Sequence, residues 1–369
     1  TPSVEAYHLM REGKLERIDL PQRLAGGKIP KIETVAMDGK TGAISDRLAE
    51  EIQRTYEEGR QTILFLNRRG FSYFFHCRSC GYEMTCIYCS VSLTYHKASG
   101  KMVCHYCGYT RDPVDVCPEC GSLDVGYSGF GTERIEEEVA ERFPKLRTAR
   151  VDTDSMRKKG VLEKTLSDFR SGNIDLLLGT QMVAKGLNFP KVKLVGIVSA
   201  DSTLNVPDFR SPERTFSLIV QVSGRAGRYS DDGKVIIQTF KPQVPAVADA
   251  AAGEEERFYG GELEMRNELG FPPFYRLFRI VFRGRSRSKV DQRAENAASV
   301  LRAEAPEETE VLGPAECPIG IIARNIRRHI IIRTRRYGDV HRMLRRWAAE
   351  EKGPSGTYRE IDPDPVSLL

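Results

Sequence analysis

Eight of the nine cysteines fall in four Cys-x-x-Cys pairs: Cys77/Cys80, Cys86/Cys89, Cys104/Cys107 and Cys117/Cys120. Two thiolates two residues apart can hold a tetrahedral zinc ion from one tight turn, and a second such turn completes a four-sulfur site. Eight ligands therefore provide for two Zn²⁺ ions, and an all-thiolate set leaves no open position for water, which makes both ions structural. The intervals between successive pairs are 5, 14 and 9 residues. Five residues barely let the first pair face the second, whereas the 14 between Cys89 and Cys104 can form a short hairpin. Cys86/Cys89 with Cys104/Cys107 thus reads as a zinc ribbon, leaving Cys77/Cys80 to pair with Cys117/Cys120 in a nested arrangement. Gly81, Gly108 and Gly121 follow three of the pairs, where positive φ lets the backbone turn around a metal; Ser90 stands at the fourth. Disulfides are the competing use of so many cysteines. The sequence offers no signal peptide and no apolar run of membrane-spanning length, so we expect a reducing, cytoplasmic setting without a membrane partner. His76, His96 and His105 are expected to be bystanders, and the remote Cys317 a packing residue.

Three other segments invite a chemical reading. Gly39-Lys40-Thr41 sits where a phosphate loop would, but that loop needs a further glycine at the position held by Thr34, so a plain turn is expected. Gly179-Thr180-Gln181-Met182-Val183-Ala184-Lys185-Gly186 follows a strand, and Gln221-Val222-Ser223-Gly224-Arg225-Ala226-Gly227-Arg228 ends a helix. Each alone is ambiguous, because a Gly-Thr is often a turn and paired arginines are often surface ions.

The elements that must carry these residues alternate. Ile44, Leu48, Ile52 and Tyr56 recur at helical spacing over 42–59, followed by an apolar strand over 62–66. After the cysteines come a helix capped by Thr132 with Ile135, Val139 and Phe143 on one face, and another with Leu162, Leu166 and Phe169. Strands are expected at 174–178, 194–198 and 235–240, with a helix opening at Ser211-Pro212-Glu213, serine as cap and proline at the first helical position. This alternation predicts an α/β domain with a parallel sheet and helices on both faces, into which the zinc module is inserted. Residues 242–273 read as a helical linker. The remainder, 274–369, reads as a small α+β domain of βαββαβ order. In it, Ile326, Ile330 and Ile332 alternate with Arg327, His329, Arg333 and Arg335, and from Arg276 to Arg346 basic residues outnumber acidic ones by about two to one. Weak, sequence-independent DNA contact through Arg327 and Arg333 is expected there, with a solvated or docking face as the alternative. The whole chain is globular in composition: 369 residues, 40% hydrophobic, 29% charged, net charge +5.

Taken together, the segments at 179–186 and 221–228 resemble motifs V and VI of superfamily 2 helicases, and Leu66-Asn67-Arg68-Arg69-Gly70 resembles motif IV. The fuller set is narrower. Asn67-Arg68-Arg69-Gly70, the eight cysteines, Gly-Phe-Gly-Thr-Glu at 129–133, Pro207-Asp208-Phe209-Arg210, Val311-Leu312-Gly313-Pro314 and Ile361-Asp362-Pro363-Asp364-Pro365 resemble the PriA family of bacterial replication-restart DNA helicases over essentially the whole chain. That resemblance implies a RecA-like second helicase lobe (1–75 and 122–241), a zinc-binding insertion (76–121), the linker (242–273) and a C-terminal domain (274–369). It implies that Arg225 and Arg228 face the nucleotide, with Arg228 the better arginine finger. Lys185 and Gly186 would line the nucleotide cleft, Gln221 would link nucleotide state to DNA, and Thr180 would lie near the DNA backbone. Thr1-Pro2-Ser3 resembles the tail of the family's motif III, and the chain reads as the C-terminal half of something longer. The phosphate-loop lobe of the family is not in this sequence, so ATP and Mg²⁺ are expected only with that lobe present, and ATP turnover by this chain alone is not expected. Partners implied are single-stranded or branched DNA, primosome proteins and single-stranded DNA-binding protein, with the chain monomeric. A stand-alone zinc-ribbon nucleic-acid-binding protein and a RecG-like branch-migration enzyme are the rival readings.

Overall fold

The computed structural model describes residues 1–18, 30–37, 42–66, 75–77, 79–80, 82–88, 92–96, 99–104, 107–126, 132–151, 160–179, 189–227, 229 and 231–368. In chain order the elements begin with α1 (Val4–Arg11), β1 (Lys31–Ala36), α2 (Asp46–Glu57) and β2 (Gln61–Phe65). Short strands follow: β3 (His76–Cys77), β4 (Thr94–His96), β5 (Lys101–Val103), β6 (Thr110–Arg111) and β7 (Val125–Gly126). Then come α3 (Thr132–Arg142), β8 (Thr148–Val151), α4 (Val161–Ser171), β9 (Leu176–Gly179), β10 (Val192–Ile197), α5 (Asp201–Leu204), α6 (Ser211–Ser223), β11 (Lys234–Thr239), α7 (Pro245–Ala252) and α8 (Glu255–Glu268). The last six are β12 (Arg276–Gly284), α9 (Arg287–Glu304), β13 (Thr309–Ile322), β14 (Asn325–Thr334), α10 (Tyr337–Glu350) and β15 (Thr357–Pro363).

Six strands form one sheet in the order β1-β11-β10-β2-β9-β8, every pair parallel. Successive residues of its buried strands point to opposite faces. Ile63, Phe65, Leu177, Val195 and Ile237 enter one core with residues of α4, α6, α7 and α8. Leu64, Leu176, Leu178, Leu194 and Ile236 enter a second core with residues of α2 and α3. This is the α/β architecture that the alternation predicts, with helices on both faces. Gly196 makes the second core possible: a Cβ there would lie 2.6 Å from Leu64 Cδ2 and 3.0 Å from Leu48 Cδ1, so glycine lets α2 approach the sheet.

Two local expectations need correction, and one cap was not anticipated. Ser211 is the first residue of α6 and not its cap; Arg210 holds the cap position, and the Ser211 hydroxyl instead donates to the Val206 carbonyl at 2.6 Å, closing the preceding turn. Ser3, given no structural role from sequence, caps α1, accepting from the Ala6 amide at 3.1 Å. The 242–273 segment is helical, but Ala246, Val247, Ala250, Phe258, Tyr259 and Leu263 share the sheet's first core, so its helices are built into the lobe and are not strung between bodies.

β12 to β15 form an antiparallel sheet in the order β13-β14-β12-β15, giving the expected βαββαβ order with α9 and α10. Phe278, Ile280, Phe282, Ile330 and Ile332 pack under these helices with Val290, Leu344 and Trp347. On the opposite face, where the pattern predicts a basic or docking surface through Arg327, His329, Arg333 and Arg335, Leu277, Arg279, His329 and Ile331 are buried, Arg327 and Arg333 half-buried, and Arg335 exposed. Leu277 and Ile331 share a core with the cysteine-rich module and the lobe. His329 is fully buried against Arg279, whose Nε donates to its Nδ1 at 3.2 Å. Arg333 pairs with Glu310 and donates to the Leu269 carbonyl. Arg327 donates to the Ile319 carbonyl at 3.1 Å. The alternating pattern is real, but its polar side chains find protein partners.

Candidate metal centres and the helicase-like lobe

Antiparallel pairing of β3 with β7 closes the base of the insertion, and β4, β5 and β6 form a three-stranded ribbon within it. The turns that hold the cysteines repeat one hydrogen bond. The Cys77 amide donates to the Tyr82 carbonyl, Cys104 to Tyr109 and Cys117 to Ser122, at 2.8–2.9 Å. Gly108 and Gly121 end two of these knuckles at φ +80° and +70°, as their positions after the Cys pairs predict.

Cys77, Cys80, Cys117 and Cys120 bring their sulfurs within 4.8 Å of one another. Sγ–Sγ separations are 3.6 Å for Cys77–Cys120 and 3.6 Å for Cys80–Cys117. A tetrahedron with Zn–S bonds of about 2.3 Å has edges of roughly 3.8 Å, whereas a disulfide would draw the sulfurs to about 2.05 Å. The four thiols therefore fit a metal and exclude disulfides within the set. Burial opposes ionisation of Cys77, but the Cys80 and Ser79 amides and the neighbouring thiols outweigh it and bring its pKa from 9.0 down to about 7. Cys77 and Cys117 are buried while Cys80 and Cys120 are exposed, so this outer centre lies half in water.

Cys86, Cys104 and Cys107 form the second cluster, with Cys86 and Cys107 sulfurs 3.7 Å apart. Cys89 lies outside the described residues. The described sulfurs fall into the two groups that the nested pairing inferred from spacing requires. This inner centre has different surroundings. Cys86 and Cys104 belong to a core that also contains Met84, Leu93 and Met102 of the module, Phe75 and Phe209 of the lobe, Phe271 before β12, Leu277 and Ile331 of the C-terminal sheet, and Leu368. Phe209 and Phe271 stack at 4.6 Å.

Buried charge surrounds that core. Glu83, between the first two Cys pairs, meets Lys241 at 2.9 Å. Burial raises the Glu83 carboxyl to about 7 against the pull of Lys241, with the buried Asp201 adding to the rise. Asp208 binds Arg214 at 2.9 Å and accepts from the Ser367 hydroxyl at 3.2 Å, fastening the chain end to the lobe. Arg266, fully buried, pairs with Glu213 at 2.7 Å and Glu262 at 2.9 Å and lies 5.1 Å from the Phe209 ring. Sequence reading gave none of Glu83, Asp208, Glu213 or Arg266 a role. Pro207-Asp208-Phe209-Arg210 stood out as a motif, but nothing in its spacing indicates that it anchors the last residues of the chain.

On the lobe, α6 ends at Ser223 with Gly224 as cap, and Gly227 follows at φ +61°. A Cβ on Gly233 would lie 2.5 Å from Gly227 Cα, so two glycines let the backbone segments touch just ahead of β11. This fixes the segment carrying Arg225, which is half-buried, while Gln221 is exposed on the last turn of α6. Gly179 ends β9 in register with Phe65 at the end of β2. Because all strands are parallel, Gly179 lies at the C-terminal edge of the sheet and the Arg225 segment, leading into β11, at the opposite edge. Thr180, Lys185, Gly186 and Arg228 lie outside the described residues, as do Gly39-Lys40-Thr41 and Asn67-Arg68-Arg69-Gly70.

Residues 86–111, spanning the inner cluster, match the family described as the PriA DNA helicase Cys-rich region domain. Residues 130–230 match the helicase conserved C-terminal domain, and 267–366 the primosomal protein N C-terminal domain. The chain resembles PriA along its whole length. The replication restart protein PriA of Treponema pallidum is 50% identical over 369 residues, covering 100% of this chain and 56% of the relative. PriA of Bacillus subtilis is 40% identical over 351 residues, covering 94% of this chain and 44% of the relative. PriA of Borreliella burgdorferi is 36% identical over 369 residues, again covering 100% and 56%. The chain therefore spans about half the length of the PriA relatives it matches. Among solved structures, RecG bound to a three-way DNA junction aligns over 73% of this chain and 26% of its own, at 12% identity and a TM-score of 0.35, too slight a likeness to argue from. The PriA cysteine-rich match covers the ribbon, while the outer pairs Cys77/Cys80 and Cys117/Cys120 fall outside the matched span. No helix among the described residues is long and apolar enough to cross a membrane.

Proposed function

We propose that this chain acts as the second lobe, zinc module and C-terminal domain of an ATP-dependent 3′→5′ DNA helicase that works at stalled or branched replication forks in the cytoplasm. The observation that carries this reading is the 50% identity to a replication restart protein along the full chain, together with the helicase C-terminal match over 130–230. Two structural zinc ions hold the module, one in each cysteine cluster. In the assembled enzyme, Arg225 and Arg228 neutralise charge on the transferring phosphoryl group, with Arg228 as the finger. Lys185, Gly186 and Gln221 line the nucleotide side, and Thr180 meets the DNA backbone. Supporting that division, Gly179 and Arg225 lie at opposite edges of the sheet. ATP and Mg²⁺ are bound jointly with a phosphate-loop lobe. The partners are branched or single-stranded DNA, primosome proteins and single-stranded DNA-binding protein, engaged by a monomer. The domain division is 1–75 with 122–241, 76–121 and 274–369, with the helices of 242–273 packed onto the lobe.

Joined to a phosphate-loop lobe, Arg228→Ala should lower DNA-stimulated ATP turnover by roughly 10³-fold or more, with DNA affinity nearly unchanged. Turnover equal to the unsubstituted protein would remove Arg228 from the nucleotide site. The chain alone should hydrolyse no ATP; turnover abolished by Lys40→Ala would assign a phosphate loop to Gly39-Lys40-Thr41.

A further inference from the structure

The face of the C-terminal sheet that sequence pattern marks as basic is partly covered: Leu277 and Ile331 share a core with the module and lobe, His329 is buried against Arg279, and Arg327 and Arg333 are half-buried. A further group of accessible basic residues gathers elsewhere. A cleft of about 530 Å³ opens at the far end of the domain, where β12 runs into α9 and β15 begins. Its lining includes Arg283, Arg285, Lys289, Asn325 and Tyr358. The shape is built by glycine. A Cβ on Gly284 would lie 2.7 Å from the Gly356 carbonyl oxygen, so only glycine lets the turn before β15 close onto the end of β12. Gly356 itself takes φ +81°.

The side chains divide into a support and a rim. Arg283 is held by Glu360 at 2.6 Å and places its guanidinium 5.1 Å from the centre of the Tyr358 ring. The two are directly paired across β12 and β15. The guanidinium lies over one face of the ring, and Tyr358 remains 57% exposed. Arg285 and Lys289 are exposed on the rim. Lys289 reaches only the Ser355 carbonyl, at 3.4 Å, and Arg285 has no carboxylate partner among the described residues.

We propose that this cleft is a binding site for single-stranded nucleic acid, with Tyr358 as the stacking surface for a base and Arg285 and Lys289 binding the flanking phosphates. The proposal rests on the DNA-handling role above and adds to it a place and the residues that hold the strand. Its chemistry is that of single-strand sites in general: cations that track the backbone, and an aromatic face that accepts any base. An acidic peptide is the other polyanion of suitable charge. Peptide grooves, however, anchor apolar side chains in pockets, and no aliphatic side chain lines this cleft. A duplex would present no unstacked base to Tyr358.

The test is fluorescence anisotropy of the full chain with labelled oligothymidylate over a salt series. Arg285→Glu/Lys289→Glu should bind at least tenfold more weakly. Its log–log salt slope should be shallower by roughly 1.4, about 0.7 for each phosphate of a single strand that is no longer neutralised. Tyr358→Ala should lose about tenfold with the slope unchanged, because stacking releases no counterions. A charge-matched pair on α4, Lys164→Glu/Arg170→Glu, should bind as the unsubstituted chain does. Zinc content and thermal unfolding, measured on every variant, show that these exposed substitutions leave the fold intact. If the unsubstituted chain binds oligothymidylate and the cleft variants bind equally well, the cleft assignment falls and the DNA-handling role stands. If the unsubstituted chain binds no oligothymidylate, both fall. Polyglutamate that binds more tightly than the oligonucleotide, and loses its affinity in the same variants, would reassign the cleft to an acidic peptide.

Discussion

The two cysteine clusters have the same ligand chemistry and opposite surroundings. In the outer one, Cys77 and Cys117 are buried, Cys80 and Cys120 face water, and none of the four joins a hydrophobic cluster among the described residues. In the inner one, Cys86 and Cys104 are part of the core in which module, lobe and C-terminal sheet meet. A metal at the outer site organises two turns. A metal at the inner site organises the ribbon onto which two other parts of the chain are packed. Metal binding and folding are coupled wherever the site is absent from the unfolded chain. How much of the molecule shares in that coupling depends on what is packed against the site, and the ligands alone do not determine it.

The largest expected difference comes from removing one ligand at each site. Structural zinc contributes on the order of 10 kcal/mol of apparent binding free energy in isolated zinc-finger peptides. Cys104→Ser should release the inner zinc and separate the melting of the lobe from that of the C-terminal domain in calorimetry. Cys120→Ser should release the outer zinc and leave the main unfolding transition within a few degrees of the unsubstituted chain. Equal effects of the two substitutions would abolish the distinction.

A smaller effect tests whether the inner core depends on the lobe beneath it. Arg266 lies against Phe209, which stacks on Phe271 in that core. Arg266→Met removes the cation and leaves Glu213 and Glu262 buried together, a change that typically costs about 3–5 kcal/mol. Urea unfolding should show that loss, and the inner zinc should then yield to a chelator sooner while the outer zinc is unaffected. Substituting Met for all three residues should recover much of the stability.

The smallest effect is a pH dependence. Glu83 titrates near 7 when folded because it is buried, above its ordinary value of 4.5. Its contribution to stability is therefore fully present below pH 4.5 and is lost as pH rises through 7. The slope is at most about 1.4 kcal/mol per pH unit. Protonation of the cysteines works in the opposite direction in zinc-bound protein, so the informative quantity is the difference between the unsubstituted chain and Glu83→Gln. The Gln variant should gain relative stability between pH 5 and pH 7.5. A difference that is flat with pH would show that Glu83 is charged throughout.

The cysteine pairing was legible because zinc geometry acts over short spans: intervals of 5, 14 and 9 residues leave few ways to close two tetrahedra. The parallel sheet was legible for a similar reason, since runs such as Leu176-Leu177-Leu178 are apolar on both faces and demand helices above and below. The polar face of β14 is legible as a pattern, but how far each of its side chains is covered is not: His329 is buried, Arg327 and Arg333 are half-buried and Arg335 is exposed. Arg333 and His329 look like solvent-facing residues until Glu310, the Leu269 carbonyl and Arg279 are brought to them by the fold. The same limit hid Asp208, whose partners Ser367 and Leu368 lie some 160 residues away in sequence. Ser3 and Ser211 show it at close range: both precede apolar helical patterns, and only the observed hydrogen bonds separate the cap from the first helical residue.

The most direct test of the unequal centres is the time course of zinc release from the purified chain into a chromophoric chelator under reducing conditions. Two phases of equal amplitude are expected, one zinc each. Cys120→Ser should eliminate the fast phase and leave the slow one, whose rate should follow global unfolding as urea is added. Release of both zincs in a single phase, or a Cys120→Ser variant that keeps the fast phase and loses the slow one, would contradict the assignment of the inner cluster to the shared core.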